Sequence, residues 1–139
     1  MVGRSQGVVE IFATSSSTNN TNTWSQIQSL SIYNMDTYSC FGSTLAMYND
    51  TLAVGSYCHS NYQGAVFIYT WVEDGDKSQW VLATTLKGAA SNEYNTFFGY
   101  SLALTSESIL ISAYGQGMPY PSPPQPSPSL PFLCPSLCF

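Results

Sequence analysis

The sequence predicts an all-β fold built from repeated antiparallel units, and three observations lead to this prediction. Residues 41–57 recur as residues 98–114, and residues 6–12 recur as residues 63–69, so both recurrences have an offset of 57 positions. A fixed period of this size is typical of stacked supersecondary units. The composition, with 14% aromatic and only 8% charged residues, favours strands. No segment maintains an apolar period of 3.6 residues over three helical turns.

The predicted strands follow one another along the chain and are separated by polar turns. They comprise residues 7–12, 24–32, 41–47, 51–57, 64–71, 79–87, 98–104 and 108–114. Asn49 and Asp50 favour a tight turn after the third strand, and residues 73–77 form a second turn. The polar residues 14–23 are predicted to form a surface loop. Small residues within the strands, which suggest closely packed sheets, are Ala46, Ala53, Gly55, Ala65 and Ala103.

The repeat pattern ends after Tyr114, where the composition changes abruptly. Most prolines lie in residues 119–128, and proline lacks the backbone N–H that a sheet requires. Residues 118–139 are therefore predicted to be disordered or in a polyproline II conformation. Two origins of this tail remain open, a readthrough or mis-spliced gene model and a genuine proline-rich stalk. Met1 falls inside a predicted loop of the repeat, so we expect the chain to be a fragment.

The charge and hydropathy of the chain argue against binding of nucleic acid and against a membrane span. Three basic residues stand against eight acidic ones, whereas a phosphate backbone requires clustered Lys and Arg. No apolar run approaches the roughly 18 residues that cross a bilayer. The first residues also lack the apolar stretch of a secretion signal. We therefore expect no nucleic-acid partner and no membrane insertion for this segment.

Two cysteines flank the predicted hairpin of the third and fourth strands. With the turn centred on Asn49, Cys40 and Cys58 are each nine residues away and lie opposite each other. Directly opposed residues of an antiparallel pair have the Cα separation that a disulfide requires. This predicts a Cys40–Cys58 disulfide and an oxidising compartment, with two unrelated buried thiols as the alternative. Cys134 and Cys138 have no His or acidic residue nearby, so zinc is not expected.

The recurring motifs also carry a family resemblance. In chain order they are Phe41-Gly42, Leu52-Ala53-Val54-Gly55, Gly64-Ala65-Val66-Phe67-Ile68-Tyr69 and Trp80, followed by a second copy that begins at Phe98-Gly99. In this order and at this spacing they resemble FG-GAP repeats, the blades of the integrin alpha-chain β-propeller. The resemblance covers residues 6–114. It implies blades of four antiparallel strands, with Phe41 and Gly42 opening the innermost strand and Trp80 on the outermost one.

The resemblance also implies how the chain divides into blades. Residues 1–40 correspond to the later strands of a truncated blade, and residues 41–97 to a complete one. Residues 98–117 correspond to the first two strands of a further blade, and the proline-rich tail follows. Most blades of a closed propeller would then be absent from this chain, because closure takes about four to eight of them. The isolated polypeptide is therefore expected to be unstable or to self-associate.

One departure from the family pattern concerns calcium. Calcium-binding members of the family carry an Asp-rich loop between the first two strands of a blade. Here the connection is only residues 48–50 in one repeat and residues 105–107 in the next, with one acidic residue in each. Ca²⁺ requires six to eight oxygen ligands, several of them from carboxylates. The chain therefore resembles a calcium-free subtype, and neither a metal nor another cofactor is expected. Asp74-Gly75-Asp76 is typical of a solvated hairpin turn.

The alternation of strand direction sorts the loops onto two opposite ends of the blades. The sequons at Asn19 and Asn49 fall on the same end and are candidate N-glycosylation sites. The other end gathers loop residues rich in tyrosine, a residue that supplies rigid amphipathic contact area. We expect a protein or glycan ligand at that end, although these tyrosines could instead simply cover the sheet ends. The candidate ligand-binding residues are Tyr33, Tyr38, His59, Tyr62 and Tyr94.

The sequence contains no recognisable catalytic group of residues. His59 is the only histidine and has no acidic partner close in sequence, which is typical of a solvated loop residue, so no enzyme is expected. We expect a non-catalytic interaction module that is extracellular or on the cell surface and acts in cell adhesion or in matrix or ligand recognition. Two alternatives stay open. The propeller could be attached to an enzyme in a longer protein, or the chain could be a structural wall protein anchored by its proline-rich stalk.

Overall fold

The computed structural model of the protein describes residues 7–16, 22–32, 39–75, 77–88 and 96–115. These residues form antiparallel sheets and one short helical segment, α1 (His59–Tyr62), so the predicted all-β class is confirmed. In chain order the strands are β1 (Val9–Ser16), β2 (Asn22–Leu30), β3 (Thr44–Tyr48), β4 (Thr51–Ser56), β5 (Ala65–Asp74), β6 (Lys77–Lys87), β7 (Phe98–Leu104) and β8 (Ile109–Ala113).

The eight strands form three antiparallel sheets. β1 pairs with β2, and β7 pairs with β8, while the four strands between them form one sheet in the order β3-β4-β5-β6. Tight turns link β3 to β4, where Tyr48 lies opposite Thr51, and β5 to β6, where Asp74 lies opposite Lys77. Sequential strands thus pair as neighbours, as the short polar turns of the sequence predict. The four-stranded sheet, called the middle sheet below, lies between the other two.

The main hydrophobic core lies between the β1–β2 sheet and one face of the middle sheet. Val9 and Leu30, each 6% exposed, belong to the same buried cluster as Val54 and Trp80 of the middle sheet. The Gln28 side chain adds two hydrogen bonds across this contact. It accepts from the Trp80 N–H at 2.7 Å and donates to the Trp80 carbonyl oxygen at 2.9 Å. Apolar burial and paired polar groups therefore hold β2 against β6.

Aromatic rings on β5 extend this core along the middle sheet. Phe67 packs edge-to-face on Phe41, with ring centroids 5.5 Å apart, and Trp71 packs on Trp80 at the same distance. Tyr69 lies between them in sequence and is 5% exposed, and burial raises the pKa of its hydroxyl above the ordinary value. Alternate residues of a strand face the same side. The apolar alternation of residues 67–71 therefore reflects burial of one face.

The β7–β8 sheet covers the other face of the middle sheet, where the side chains are small. Ala53 is fully buried, and a Cβ on Gly55 would lie only 2.5 Å from the Gly99 carbonyl oxygen. The Thr44 hydroxyl donates a hydrogen bond to that same oxygen at 2.8 Å. Small residues on this face let the backbone of β7 approach β3 and β4 closely. Of the small residues within the predicted strands, Ala46, Ala53 and Gly55 lie on this face, whereas Ala65 belongs to the main core and Ala103 is exposed.

Glycines that lie 57 positions apart have equivalent surroundings in the structure. Gly42 and Gly99 have φ values of 84° and 87°. A Cβ on Gly42 would meet Val9 Cγ2, and one on Gly99 would meet Val66 Cγ2, at 2.9 Å in both cases. Val9 and Val66 are themselves 57 positions apart. The contact between the first and middle sheets therefore recurs between the middle and third sheets, as a structural repeat requires.

The structure differs from the predicted element bounds mainly in the first sheet. β1 continues to Ser16 and β2 begins at Asn22, with Ser16 opposite Asn22, so residues 14–16 and 22–23 of the predicted loop of residues 14–23 are strand. The paired residues in this part of the sheet are mainly Ser, Thr and Asn. Their polar composition predicted a loop and did not indicate strand pairing. A backbone ladder can form from polar residues when the paired strands are anchored elsewhere, as Val9 and Leu30 anchor these two.

Candidate ligand-binding surface

Two connections of the chain meet at one end of the middle sheet and bring aromatic residues together. The β4–β5 connection contains α1, and the segment that leads into β7 lies beside it. The Phe97 N–H donates a hydrogen bond to the Tyr62 carbonyl oxygen at 2.9 Å, which joins the two connections. The side chains that meet here, called the aromatic cluster, are Tyr57, Tyr62, Phe97, Tyr100 and Tyr114.

The rings of the aromatic cluster form a continuous series of contacts. Phe97 packs against Tyr62 and Tyr114, with centroid distances of 5.7 Å and 6.1 Å. Tyr100 lies 5.8 Å from Tyr114 and 5.5 Å from Tyr57. These are tilted and edge-to-face pairs in the distance range that aromatic rings prefer. Tyr57 and Tyr62 belong to one repeat and the other residues to its junction with the next, so packing of the two repeats positions the rings.

Much of the aromatic cluster is exposed to solvent. The exposed fraction is 43% for Tyr62, 52% for Tyr100 and 63% for Tyr114, while Tyr57 and Phe97 are half-buried. Each exposed tyrosine offers an apolar ring and a hydroxyl that can donate and accept a hydrogen bond. Because the rings support one another, they present this surface with little loss of side-chain entropy. The arrangement suits a partner with both apolar and hydrogen-bonding groups.

The backbone that carries Tyr62 has an uncommon conformation. Ser60, Asn61 and Tyr62 have φ values of 52°, 56° and 64°, in the left-handed region that non-glycine residues rarely adopt. The Tyr62 N–H donates to the Cys58 carbonyl oxygen at 3.1 Å and closes the turn. The segment α1 is therefore a left-handed turn, and the sequence did not predict it. Backbone conformations of this kind concentrate at functional sites.

The disulfide between Cys40 and Cys58 anchors this turn. The Cα atoms of the two residues are 5.3 Å apart, and the structure supports the predicted pair. Cys58 is 5% exposed and immediately precedes α1, so the bond ties the start of the turn to the segment that leads into β3. The bond thereby restricts the loop that carries Tyr62.

The register on which the disulfide prediction was based is wrong. Tyr48 lies opposite Thr51, so the hairpin is centred between residues 49 and 50 and not on Asn49. The pairing of β3 also starts only at Thr44. Cys40 reaches its partner because the backbone turns after it, where the Ser43 N–H donates to the Cys40 carbonyl oxygen at 3.1 Å. A local turn, and not direct cross-strand opposition, brings the cysteines together.

His59 is buried and does not lie on the exposed surface. Its side chain is 4% exposed, and its ring packs edge-to-face on Phe67 with the centroids 5.8 Å apart. The sequence favoured a solvated loop histidine and included it among the ligand-binding candidates. In the structure the imidazole instead extends the aromatic core, so it does not present its ring nitrogens to a partner at the surface.

The structure places one predicted ligand-binding residue, Tyr62, in the aromatic cluster. Three other candidates lie outside the described residues, namely Tyr33, Tyr38 and Tyr94. Sequence reasoning did not include Phe97, Tyr100 or Tyr114 in the site. The repeat offset could have indicated Tyr114, because it is equivalent to Tyr57.

The opposite end of the sheets carries the short turns of two consecutive repeats. Residues 48–51 and 104–109 line a cleft of about 460 Å³, together with Ile68. Asp50 and Glu107 are the acidic residues in this lining. Within the described part of the chain, no three His, Cys, Asp or Glu residues lie close enough to hold a metal ion. The absence of a calcium site in this chain stays a prediction.

The predicted glycosylation site at Asn49 lies within the described residues, whereas the second sequon, at Asn19, lies outside them. Asn49 is exposed at the tip of the β3–β4 hairpin with φ 47°. We expect protein secreted from eukaryotic cells to lose the mass of one N-glycan when Asn49 is replaced by glutamine. Thr51→Ser, which keeps the sequon, should retain it. Intact-mass measurement before and after treatment with peptide-N-glycosidase tests this, and equal glycan mass in wild type and Asn49→Gln would refute it.

Comparisons with known proteins give no relative. No family model matches the chain, and no curated protein and no solved structure matches it either. Among the described residues no helix is long and apolar enough to span a membrane. The repeat, the sheets and the aromatic cluster are therefore the features of the chain that bear on its function.

Proposed function

We propose that the protein is a non-catalytic extracellular interaction module, and that the aromatic cluster is its ligand-binding surface. In this proposal the chain is a calcium-free segment of an FG-GAP-type β-propeller, and the middle sheet is one blade. The β1–β2 and β7–β8 sheets are parts of its two neighbours. The ligand is a protein or a glycan, and the module acts in cell adhesion or matrix recognition.

The recurrence of the inter-sheet contact supports the assignment of consecutive blades. The Gly42 contact with Val9 and the Gly99 contact with Val66 have the same distance, and each joins one sheet to the next. Blades that stack in this way expose their connecting loops at two ends, and loops on a rigid scaffold commonly carry binding residues. A Cys40–Cys58 disulfide favours an oxidising compartment, which supports an extracellular location.

The exposure of the aromatic cluster is the observation that carries the proposal. Exposed aromatic rings that contact one another are uncommon on a surface without a partner, and tyrosine is enriched at binding hot spots. The cluster contains only Tyr and Phe. Neither residue type supplies the imidazole or carboxylate group that most often serves in general acid–base catalysis. The chemistry of the surface therefore favours binding and not turnover.

The test compares binding of the wild-type protein and two variants to a glycan array and to immobilised collagen and fibronectin. We expect the double variant Tyr62→Ala, Tyr114→Ala to bind the best surface at least about tenfold more weakly, because hot-spot side chains contribute energies of this size. Tyr48→Ala is the matched control. Tyr48 is 41% exposed but lies at the opposite end of the sheets, so its loss should leave binding unchanged.

Two outcomes would contradict the proposal. The wild-type protein could fail to bind every glycan and both matrix proteins, or Tyr48→Ala could weaken binding as much as the cluster variant does. Circular dichroism of all three proteins would verify that the substitutions leave the fold intact.

A further inference from the structure

The two outer sheets each have a strand edge that no other strand covers within the described residues. β8 pairs with β7 alone, and β1 pairs with β2 alone. An open edge presents a row of backbone N–H and C=O groups that can pair with another strand. Both edges belong to strands with apolar residues, since β8 contains Ile109, Leu110 and Ile111 and β1 contains Ile11 and Phe12.

The two outer sheets are complementary parts of the same four-strand unit. By the offset of 57 positions, β7 and β8 are equivalent to β3 and β4, while β1 and β2 are equivalent to β5 and β6. The middle sheet has the order β3-β4-β5-β6. A sheet in the order β7-β8-β1-β2 would therefore reproduce the middle sheet, with the β8–β1 edge in the place of the β4–β5 edge.

The open edges of one chain cannot meet each other. The β1–β2 sheet packs on one face of the middle sheet, where it shares the main core, and the β7–β8 sheet packs on the opposite face. The middle sheet lies between β8 and β1 of the same molecule. A β8–β1 pair therefore requires two copies of the chain.

The observed pairing of β4 with β5 fixes the register of such a contact. Ser56 lies opposite Ala65 in the middle sheet, and Ala53 lies opposite Ile68. The equivalent pairs between two copies are Ala113 with Val8 and Leu110 with Ile11. The side chain of Val8 is 53% exposed and that of Leu110 is 61% exposed, so neither side chain is buried within its own chain.

The exposed faces next to these edges are complementary as well. Leu45 and Met47 on β3 are 53% and 67% exposed, and they lie on the face that carries the main core further along the sheet. Ala103 and Leu110 are exposed on the outer face of the β7–β8 sheet. In the middle sheet, the residues equivalent to this outer pair are Ala46 and Ala53, which the next unit covers. A second copy aligned by the β8–β1 pair would place Leu45 and Met47 of one molecule over Ala103 and Leu110 of the other.

We propose that this chain associates head to tail, with β8 of one copy pairing antiparallel with β1 of the next and completing a four-stranded sheet. The interface is heterologous, so the assembly is a ring if the rotation between copies closes and an open filament if it does not. Within its described residues each copy contributes eight strands, which is the number in two four-stranded sheets. This inference depends on the repeated sheets and not on ligand binding by the aromatic cluster.

Disulfide trapping tests the register directly. Two variants of the 139-residue chain, Val8→Cys and Ala113→Cys, are prepared with Cys134 and Cys138 replaced by serine, and are mixed under mild oxidation. We expect a covalent dimer of one copy of each variant. The control mixture combines Val8→Cys with Leu110→Cys, whose thiols are three residues out of register, and should give little dimer. Equal trapping in both mixtures, or trapping in neither, would overturn the proposal.

Association in solution provides a second measurement that does not depend on cysteines. Sedimentation velocity of the wild-type chain should show concentration-dependent association, and Leu110→Lys should weaken it at least about tenfold, because the contact would bury an unpaired charge. Leu82→Lys is the control. Leu82 is 47% exposed and lies on the same face of β6 as Trp80, away from the proposed contact. A wild-type chain that stays monomeric, or equal weakening by both substitutions, would refute the inference.

Discussion

Replacing Gly64 by alanine is expected to lower the free energy of unfolding by about 3 kcal/mol. Gly64 has φ 81°, and a Cβ at this position would overlap the backbone of Phe98, with which Gly64 forms a parallel bridge. The substitution therefore adds left-handed strain and forces the β7–β8 sheet away from the middle sheet. Chemical denaturation followed by tryptophan fluorescence measures the loss, since Trp71 and Trp80 lie in the middle sheet.

Gly75→Ala is the matched control, because it separates backbone strain from the contact between sheets. Gly75 also has a positive φ, 56°, but nothing lies within 4 Å of a Cβ added there. Its replacement should cost only about 1 kcal/mol, the penalty of the left-handed conformation. Equal losses for Gly64→Ala and Gly75→Ala would mean that the close approach of Gly64 to Phe98 does not contribute to stability.

Loss of the Cys40–Cys58 disulfide is expected to destabilise the protein by about 3 kcal/mol, because the open chain regains the entropy of an unclosed loop of this length. The bond spans a sequence separation of 18 and ties the α1 turn to the start of the central hairpin. The test is denaturant unfolding of the double variant Cys40→Ala, Cys58→Ala. Both cysteines are replaced so that no single free thiol is left.

The tail cysteines provide the control for this measurement. Cys134→Ala, Cys138→Ala removes the same number of thiols outside the predicted repeat and should leave the unfolding midpoint unchanged. A double variant at positions 40 and 58 as stable as wild type would contradict a stabilising disulfide. The same result would remove a main support for an extracellular location.

Much of the fold could be predicted from the sequence because the repeat supplies two copies of the same strand pattern. The segment around Phe41 and the segment around Phe98 are each only a weak indication of a strand. Their recurrence at a fixed offset strengthens the prediction that both are strands. The strands β3 to β8 lie close to their predicted bounds. The turn at Asn49 and Asp50 was also predictable, since both residues favour tight turns.

The parts that could not be predicted depend on local backbone or on contacts between distant segments. The left-handed turn at residues 60–62 contains no glycine, and only Asn61 is of a residue type enriched at positive φ, which is too weak a signal to predict the turn. His59 resembled a solvated loop residue, but in the structure its ring is buried and packs on Phe67. The disulfide pair was correct although its register was shifted, because a turn after Cys40 compensates for the shift.

The aromatic cluster could also be predicted only in part, because it depends on contacts between distant segments. Tyr62 could be selected from its loop, since loop tyrosines commonly contribute to binding. Phe97 and Tyr100 join the cluster because the Phe97 N–H bonds to the Tyr62 carbonyl oxygen and aligns two successive units. That alignment is a property of packing between units, and a single sequence does not reveal it.

The central claim is that units 57 residues apart stack through equivalent contacts, and nuclear Overhauser measurements test it most directly. The structure places the backbone of Gly7 against that of Phe41, and the backbone of Gly64 against that of Phe98. We predict cross-peaks between the Gly7 and Phe41 backbone protons and equivalent cross-peaks, of similar strength, between Gly64 and Phe98. Observation of one set without the other, or of neither in a folded protein, would contradict the account.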